Sequence, residues 1–493
     1  MKILLISPPL NSLYHAASII IPPLGLLYVA GKLEADGHDV EVRDMTYYDG
    51  SETYDGYDLV GITCTTPQYP EALQYAKDAH ASGCRTLIGG THVTFTTETT
   101  LRLPYVDFVV RGEGEQATSI LCKALDEEGS RFDPRKIPSL SWYDADADLV
   151  VDNPQIPDIG TVDDLPRPAR HLVDMEAYKV TKLGPRPVTT MITSRGCPYN
   201  CTFCSVPTLY QKRKWRSREA VNAVDEMEYL EQTYGYGGVL LVDDLLTTNV
   251  DRIHELCAEI IERGLDISWW CQSRADILVK HPGLVEHMAE AGCYLTFLGL
   301  ESGNEHVLAH WNKKMKLDTG GQAVELLRQN GIKALTAFII GMEQETEEDI
   351  DNTIEYAKTL DAHQAQFSIL TPYPGTEDWG RNIPRIFDNN WANYTGSKVV
   401  FHRDHLPGDV IEQKIKKAYW SFYNPMRRWD LVLKNVAGVN PRKLWRILTT
   451  LRKQRDLVIP QMDPVDHYIS LTSSDWETWK TSYEPAREVA AAV

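Results

Sequence analysis

Long apolar runs are missing from this sequence, which argues against a transmembrane protein. No stretch approaches the roughly 20 apolar residues that a membrane-spanning helix requires. The amino-terminal run at residues 3–6 is too short for a secretory signal and is soon followed by two prolines. Low-complexity tracts and internal repeats are missing too. We therefore expect a cytoplasmic protein of two to four domains, in contact with a membrane only peripherally if at all.

Cysteine is scarce, at nine in 493 residues. An odd and sparse count with no secretory context excludes a disulfide-stapled scaffold. Six of the nine are scattered in mostly apolar surroundings, where cysteine behaves as a small core hydrophobe. No second metal cluster is therefore predicted from these six, which are Cys64, Cys84, Cys122, Cys257, Cys271 and Cys293.

Positive charge is also in short supply, since the formal net charge is −19. This balance excludes nucleic acid as an electrostatic partner of the whole chain. Residues 412–456 are the exception, with twelve Lys or Arg against three Asp or Glu, a local charge of +9 that leaves −28 for the rest. Trp420, Trp429 and Trp445 lie among these basic residues. Two interpretations stay open: peripheral contact with an anionic membrane, or a basic helical face that packs on the acidic body.

Strand-like and helical patterns alternate along residues 1–150, which predicts a doubly wound, Rossmann-like parallel sheet. The predicted strands are 2–7, 39–43, 59–64, 86–88 and 108–110, and the predicted helices are 24–34, 70–80 and 116–127. Residues 151–186 are rich in Asp and Pro and read as a linker. Alternation resumes over 187–380 and predicts a partial (β/α)6 barrel of the TIM type. A mainly helical region, 381–493, completes this α/β fold.

The other three cysteines, Cys197, Cys201 and Cys204, lie on one short segment with three and then two intervening residues. Three thiolates so spaced can hold three corners of a 4Fe-4S cluster and leave one iron open. Structural zinc is disfavoured because it needs four ligands, usually as two separated pairs. An open iron can chelate S-adenosylmethionine and cleave it to a 5'-deoxyadenosyl radical. The triplet, with Phe203 before its last cysteine, resembles the radical SAM superfamily.

That resemblance extends to the ends of the later predicted strands and implies a site for S-adenosylmethionine. It assigns the amino group to Asp243 or Asp244, the carboxylate to Arg274, the ribose and methionine to Glu301 and Ser302, and the adenine to Ile340 and Gly341. Phe203 is also assigned to the S-adenosylmethionine site, and Tyr373 faces the substrate. Several of these residues have a structural interpretation as well: a helix cap for the aspartates, an ion pair for Arg274, a plain strand around Ile340 and a turn at Tyr373.

The first 150 residues resemble the cobalamin-binding domain that precedes the radical SAM domain in a large subclass of the superfamily. The positions that match its cobalamin loops follow the third, fourth and fifth strands: Thr63, Thr65, Gly89, Gly90, His92, Gly112, Glu113 and Gly114. The alternative is a vestigial domain that binds nothing. An Asp-x-His-x-x-Gly match at residues 78–83 closes a predicted helix, away from the carboxyl ends of the strands, so cobalamin without a protein histidine ligand is expected.

Together, these parts imply C-methylation of an unactivated carbon in a small lipophilic substrate of isoprenoid, hopanoid or tetrapyrrole type. One S-adenosylmethionine would supply the radical and a second would remethylate cobalt. Ring formation or oxidative cyclisation without methyl transfer is the alternative on the same scaffold, and a non-catalytic cobalamin carrier or sensor is a second. The resemblance also implies an external electron donor such as flavodoxin or ferredoxin.

Overall fold

Two parallel sheets organise the molecule, described here from a computed structural model. The structure describes residues 1–9, 20–48, 50, 53–156, 161–180, 186–210 and 215–424. His15 and the basic residues 425–456 lie outside these ranges. None of the described helices combines the length and the apolar character needed to cross a membrane.

The first sheet has seven strands in the order β2-β1-β3-β4-β5-β6-β7. The strands are β1 Lys2–Ser7, β2 Asp39–Asp44, β3 Leu59–Thr63, β4 Arg85–Gly89, β5 Phe108–Val110, β6 Leu140–Asp144 and β7 Leu149–Asp152. The helices are α1 Leu24–Ala35, α2 Tyr69–Ala81, α3 Thr91–Phe95, α4 Thr97–Leu101 and α5 Gly114–Glu128. β1 to β5 are parallel, and β1, β3 and β5 are mostly apolar, because helices cover both faces of the sheet. The predicted doubly wound sheet is confirmed.

An antiparallel hairpin, β6–β7, extends this sheet and was not predicted. Its strands are short, and the second is partly exposed. The segment after the hairpin is not loose. In it, Arg170 is buried and donates to the Thr190 carbonyl (2.8 Å) and to Glu226 (3.0 Å) in the barrel. The Ala169 N–H donates to Leu27 of α1 (2.9 Å), so the predicted linker is fixed to both halves of the molecule.

The second sheet is the predicted partial barrel, six parallel strands in the order β15-β14-β13-β12-β11-β8. Its strands are β8 Val188–Met191, β11 Gly238–Leu241, β12 Ser268–Ser273, β13 Cys293–Glu301, β14 Lys333–Ile340 and β15 Gln364–Ile369, and a separate antiparallel pair is formed by β9 Ser194–Arg195 and β10 Arg216–Ser217. The helices are α6 Val206–Leu209, α7 Ala220–Tyr234, α8 Val250–Glu262, α9 Ala275–Lys280, α10 Pro282–Glu290, α11 Glu305–His310, α12 Leu317–Gln329, α13 Glu347–Thr359, α14 Glu377–Asn382 and α15 Gly408–Tyr423.

The six scattered cysteines are all buried, as predicted for core residues. Cys257, Cys271 and Cys293 belong to the barrel core, and Cys122 belongs to the core of the first sheet. Their thiols fill space among aliphatic side chains, which explains why they occur without any ligand spacing.

The chain after α14 closes the barrel edge and returns to the first sheet. Tyr419 of α15 pairs with the backbone N–H and C=O of Phe367 on β15 (3.1 and 3.0 Å), and Tyr423 does the same at Ala365 (2.9 and 3.0 Å). These hydroxyls satisfy an edge strand that would otherwise be open. Trp391 then packs against His92 of α3, with ring centroids 4.8 Å apart, so the carboxyl-terminal region holds the two sheets together.

Candidate active site

The three clustered cysteines lie on residues 196–205, the cysteine loop, which follows β8 and β9. Two aspartates after β11 hold its start. Asp243 is fully buried and accepts the backbone N–H groups of Thr193 (2.9 Å) and Ser194, while Asp244 accepts the N–H of Gly196 (2.9 Å). The path of the chain into the cysteine loop is therefore fixed by carboxylates, and neither aspartate acts only as a helix cap.

Burial raises the pKa values of both aspartates, that of Asp243 to about 6. The hydrogen bonds from Thr193 and Ser194 oppose that rise, because they stabilise the ionised form. Both carboxylate oxygens of Asp243 have donors within the protein, since the hydroxyl of Thr193 also contacts them at 3.2–3.3 Å. One oxygen of Asp244 has no protein donor among the bonds found in the described part of the chain.

The thiols of Cys197, Cys201 and Cys204 are half-buried and unpaired. Burial raises their pKa values, that of Cys204 to about 12, while the positive charges of Arg274 and Lys313 oppose the rise at Cys197 and Cys201. Among the described residues, the one His, Cys, Asp or Glu group with all ligand atoms within 4.8 Å is that of His310, Glu343 and Asp378. The three thiols are not such a group, and a 4Fe-4S cluster would take each of them at a separate iron corner.

The opposite side of the cysteine loop packs on the ends of α11 and α14. The N–H of Thr202 donates to the Trp311 carbonyl (3.2 Å), and the N–H of Asp378 donates to the Thr202 carbonyl (3.2 Å). Phe203 meets the Trp311 ring edge-on at 5.4 Å. The aromatic residue before the last cysteine is therefore a packing contact of the loop.

Two of the residues predicted for S-adenosylmethionine have charged partners within the protein. Arg274 makes a bidentate contact with Asp276 (2.9 and 3.1 Å) and stacks on Tyr199 at 3.8 Å. Glu301 has a positive φ of 68° and pairs with Lys313 at 2.7 Å, both side chains being buried. The contact of Arg274 with Asp276 corresponds to the ion-pair interpretation of Arg274, and the pairing of Glu301 with Lys313 was not predicted.

Ser302 is also satisfied internally. Its hydroxyl contacts the Thr353 hydroxyl (3.2 Å) and accepts the Asn304 N–H (3.1 Å). A side chain at the neighbouring Gly303 would run into the backbone of α13 at Thr353 (2.9 Å). The Gly-x-Glu-Ser-Gly segment therefore has local packing reasons for its residue types.

Ile340 ends β14 in the core, and Gly341 turns the chain with a φ of 84°. The N–H of Gly341 donates to the buried carboxyl group of Glu345, and burial raises the pKa of that group to about 7. The carbonyl of Gly341 accepts a hydrogen bond from Arg403 (2.6 Å). Tyr373 donates its hydroxyl to the Tyr394 carbonyl (3.0 Å), and burial raises its pKa to about 12. That hydroxyl is occupied by the protein.

A cavity of about 240 Å³, the interdomain cavity, lies between the two sheets. Six of the eight residues predicted for cobalamin line it: Thr63, Gly89, Gly90, Gly112, Glu113 and Gly114. The barrel contributes Ile192, Arg195, Leu209 and Tyr210, which flank the cysteine loop in sequence. The glycine-rich loops and the surroundings of the cysteine loop therefore share one wall.

Glycine is required at the cavity wall for a visible reason. Gly90 has a φ of 105°, and a side chain there would collide with the Cys64 carbonyl oxygen. Gly112 has a φ of 76° and donates its N–H to Thr94 (3.0 Å). Gly114 begins the fifteen-residue helix α5, whose first N–H groups carry the positive end of the helix dipole. The wall suits a bulky ligand that approaches the backbone closely and carries a negative group, such as the phosphate of cobalamin.

The structure does not bring Thr65 and His92 to this wall. Thr65 caps a short 3-10 turn, and its backbone N–H donates to the side-chain oxygen of Gln68 (3.1 Å). His92 is buried between Tyr69 and Trp391, contacts the Thr66 hydroxyl (3.2 Å), and has its pKa lowered by burial to about 4. Residues 78–83 close α2, with His80 exposed near Asp107 at the amino end of β5, so this segment offers no ligand at the cavity.

An ionic network joins the two sheets at the cavity and was not predicted. Arg195 pairs with Glu113 (2.7 Å) and Glu115 (2.6 Å), and Arg216 pairs with Glu113 (2.5 Å). All four side chains are largely buried, and one oxygen of Glu115 has no hydrogen-bond partner. Arg195 lies two positions before Cys197, which is the signal that could have drawn attention to it. Its acidic partners lie about eighty residues earlier, and spacing alone cannot find them.

Comparison with known proteins is consistent with this geometry. The sequence matches the family model of the radical SAM superfamily over residues 191–357 and that of the B12 binding domain over residues 15–121. An uncharacterized methyltransferase of Pyrococcus horikoshii is 36% identical over 436 residues, covering 86% of this chain and 92% of the relative. The anaerobic magnesium-protoporphyrin IX monomethyl ester cyclase of Rubrivivax gelatinosus is 31% identical over 441 residues, covering 86% and 77%.

A solved structure shares the fold over both whole chains. This is the radical S-adenosylmethionine methyltransferase TsrM of Kitasatospora setae with cobalamin and a 4Fe-4S cluster bound, with a TM-score of 0.69 and 18% identity. The chain therefore belongs to the radical SAM superfamily. More particularly, it is an enzyme of the branch with an amino-terminal B12 binding domain, and its cofactors are a 4Fe-4S cluster, S-adenosylmethionine and cobalamin. A non-catalytic carrier is thereby set aside.

Proposed function

We propose that this enzyme C-methylates a small lipophilic substrate at an unactivated carbon. The observation that carries the proposal is the interdomain cavity, whose wall combines the glycine-rich loops of the first sheet with residues that flank the cysteine loop. When bound, the cluster and S-adenosylmethionine supply a radical that removes hydrogen from such a carbon, and cobalamin supplies a methyl group to it. The cavity is lined by the proposed cobalamin loops and by residues that precede and follow the cysteine loop, which supports a transfer between the two cofactor sites.

We assign the cluster ligands to Cys197, Cys201 and Cys204. Thr63, Gly89, Gly90, Gly112 and Gly114 would form the cobalamin wall, in which glycines admit the ligand to the backbone and the start of α5 favours its phosphate. Glu113 has both oxygens on Arg195 and Arg216, so its part is to fix the wall. The domain limits 1–150, 151–186, 187–380 and 381–493 stay a prediction.

The amino group of S-adenosylmethionine would bind the second carboxylate oxygen of Asp244, because the carboxylate of Asp243 already accepts hydrogen bonds from Thr193 and Ser194. Arg274 would keep its partner Asp276 and Glu301 its partner Lys313, and the cations of these two pairs, Arg274 and Lys313, would favour the thiolate forms of Cys197 and Cys201. Ile340 and Gly341 would offer apolar and backbone contact to adenine. Ser302 would support the loop through Thr353.

The cyclase relative, which is named for a magnesium porphyrin, supports a lipophilic substrate, and an apolar cluster lies beside the cysteine loop. It contains Trp311, Met342, Leu370, Tyr394 and Phe401, with Phe203, Tyr373 and Trp391 packed against it. Its central side chains are buried, so the cluster keeps water away from this side of the cysteine loop. Peripheral membrane contact through residues 412–456 would suit the delivery of such a substrate, and it stays a proposal.

Ring closure or oxidation without methyl transfer is the second candidate. The cyclase relative, identical at 31% of positions, favours it specifically, because that protein is named for forming a ring on a magnesium porphyrin. The residues that would hold the cofactors are the same in both cases. The product depends on whether the substrate radical receives a methyl group or first undergoes ring closure or oxidation.

Product analysis separates the two. The enzyme is reconstituted anaerobically with iron, sulfide and hydroxocobalamin, reduced, and supplied with a lipid extract and S-adenosylmethionine deuterated in its methyl group. Methylation predicts a labelled lipid together with both 5'-deoxyadenosine and S-adenosylhomocysteine. Cyclisation predicts 5'-deoxyadenosine and a product that has lost hydrogen and carries no label. Absence of 5'-deoxyadenosine would contradict both.

A further inference from the structure

Three side chains of the kind that bind metal ions meet on the far side of the cysteine loop. His310 ends α11, Glu343 follows β14, and Asp378 lies in α14. One ligand atom from each lies within 4.8 Å of the other two, and His310 Nε2 is 3.7 Å from Glu343 Oε2. The three residues, called here the His–Glu–Asp group, come from separate elements, so the fold brings them together.

The oxygens of this group are buried without enough hydrogen-bond donors. Asp378 is 0% and Glu343 7% exposed, yet Asp378 Oδ2 and Glu343 Oε2 have no hydrogen-bond partner in the described part of the chain. Asn382, also 0% exposed, donates its Nδ2 to the other oxygen of Glu343 and to the Asp378 carbonyl (2.9 Å), and its own Oδ1 has no partner there either. Buried oxygens in this state are costly, so they favour a ligand that the described side chains do not supply.

Arg381 approaches the group but does not satisfy these oxygens. Its guanidinium contacts Asp378 Oδ1 (3.3 Å) and Glu377 (3.2 Å) and lies 3.4 Å from His310 Nε2. These contacts are long, and the Arg381 side chain is 42% exposed. Burial raises the pKa of Asp378, and the charge of Glu343 acts in the same direction. A further cation between the two carboxylates would therefore stabilise their ionised forms.

The ligand types indicate the class of cation. Mg²⁺ and Ca²⁺ take oxygen ligands, and soft ions favour thiolates. One imidazole nitrogen with two carboxylates is a mixed set that suits a divalent first-row transition ion such as Mn²⁺ or Fe²⁺. The His310 side chain is 29% exposed, so an ion can enter from solvent and water can complete its coordination.

We propose that His310, Glu343 and Asp378 bind one divalent transition-metal ion. Its role is structural. The Trp311 carbonyl, next to His310, accepts the Thr202 N–H (3.2 Å), and the Asp378 N–H donates to the Thr202 carbonyl (3.2 Å). The ion would therefore join the two elements that hold the middle of the cysteine loop. None of the three clustered cysteines is a ligand, so the inference does not depend on the proposed cluster.

The test measures Mn²⁺ binding, because Mn²⁺ binds thiolates poorly and so avoids the cysteines. Reconstituted full-length enzyme is passed over a chelating resin and titrated with Mn²⁺, and the EPR signal of free Mn²⁺ is followed. His310→Gln and Asp378→Asn each remove one ligand. His306→Gln is the matched control, because His306 lies one turn earlier on α11 and approaches Asp349 (3.6 Å) on an exposed surface.

Wild type and His306→Gln should each bind one Mn²⁺ per chain, whereas His310→Gln and Asp378→Asn should bind it at least about 10-fold more weakly. Mn²⁺ should also raise the Tm of wild type and leave that of Asp378→Asn unchanged, because only a folded state that binds the ion is stabilised by it. If Asp378→Asn does not fold, His310→Gln at the solvent-exposed edge carries the comparison.

The inference is overturned if wild type shows no saturable Mn²⁺ binding, or if His310→Gln binds Mn²⁺ as tightly as His306→Gln. Absorbance of the 4Fe-4S cluster is recorded on the same samples. Mn²⁺ binding that follows the expected order in protein without a cluster would contradict the proposed function and support this site, so the two failures are distinguishable.

Discussion

The cysteine loop is held by side chains, whereas the loops that face it across the interdomain cavity are shaped by glycine. Asp243 and Asp244 fix the start of the cysteine loop through backbone N–H groups, and Trp311 fixes its far side. Opposite, Gly90 and Gly112 adopt positive φ values and leave bare backbone at the wall. A small cluster needs ligands in fixed positions, which the buried carboxylates provide. A large ligand needs space near the backbone, which the glycines provide.

Loss of one cysteine should have the largest effect, because it should abolish the cluster at the cysteine loop and leave the glycine-shaped wall unchanged. Cys201→Ala leaves two thiolates for three cluster corners, so we expect no 4Fe-4S absorbance and no 5'-deoxyadenosine. Hydroxocobalamin affinity should stay within about twofold of wild type, because the cavity wall does not use this thiol. Cys257→Ala, a buried cysteine of α8, is the control and should retain full iron content. Retention of the cluster in Cys201→Ala would refute the assignment of ligands.

Arg195 joins the two regions, and its removal should affect both. Arg195→Gln leaves Glu113 and Glu115 buried without one of their cations, at a cost of roughly 3–5 kcal/mol in the free energy of unfolding. We also expect hydroxocobalamin affinity to fall by about 10-fold or more, since the wall loses its fixed shape. Both values are measured on the same preparation, by chemical denaturation and by optical titration.

The matched control for Arg195 is Arg102→Gln. Arg102 also pairs with two carboxylates, Glu98 and Asp148, but these pairs are open to solvent, so its loss should lower the free energy of unfolding far less than the loss of Arg195 does. Adding Glu115→Gln to Arg195→Gln should restore part of the stability, because the uncompensated charge is removed. Equal costs at Arg195 and Arg102 would show that the network at the cavity is not special.

Glycine at the wall can be tested with one methyl group. Gly90→Ala places a Cβ against the Cys64 carbonyl in a backbone conformation with a φ of 105°, and we expect a loss of roughly 2–4 kcal/mol in stability and weaker cobalamin binding. Gly83→Ala has a similar φ of 85° with open space around it, so it isolates the backbone strain, roughly 1 kcal/mol. Equal losses of stability in the two variants, with unchanged cobalamin binding, would show that the contact between residue 90 and the Cys64 carbonyl does not matter.

The comparison also shows what the sequence could predict. The five parallel strands and the partial barrel follow from apolar periods, which are local, and the structure confirms them. The cysteine loop was apparent because its residues are adjacent. The hairpin β6–β7 and the network around Arg195 depend on partners far away in sequence, and no local pattern reports such partners.

Side-chain direction was the other gap. Thr65 and His92 lie on the predicted loops, yet Thr65 turns to cap its own 3-10 turn and His92 turns into an aromatic core with Tyr69 and Trp391. A loop position can be predicted from strand order, because carboxyl ends of parallel strands share an edge. The rotamer at that position depends on packing that forms only in the folded state.

Loops held by buried carboxylates should show a pH dependence that glycine-shaped loops lack. Glu345 holds the turn after β14 through the N–H groups of Gly341 and Met342, and burial raises its pKa from an ordinary 4.5 to about 7. The folded state therefore binds this proton more tightly than the unfolded state between these two values. Its stability contribution is largest at the acidic end of that range and is lost as pH rises towards 7.

Neutralising this group should remove that slope. Between pH of about 5.5 and about 7.5, wild type should lose roughly 2 kcal/mol in the free energy of unfolding relative to Glu345→Gln, a difference read from thermal or chemical unfolding at each pH. Glu98→Gln, at an exposed carboxylate of α4, should track wild type throughout, and so should Gly83→Ala. Parallel curves for wild type and Glu345→Gln would mean that the turn after β14 is not held by a proton-sensitive carboxylate, and the contrast between the two kinds of loop would then rest on the cysteine loop alone.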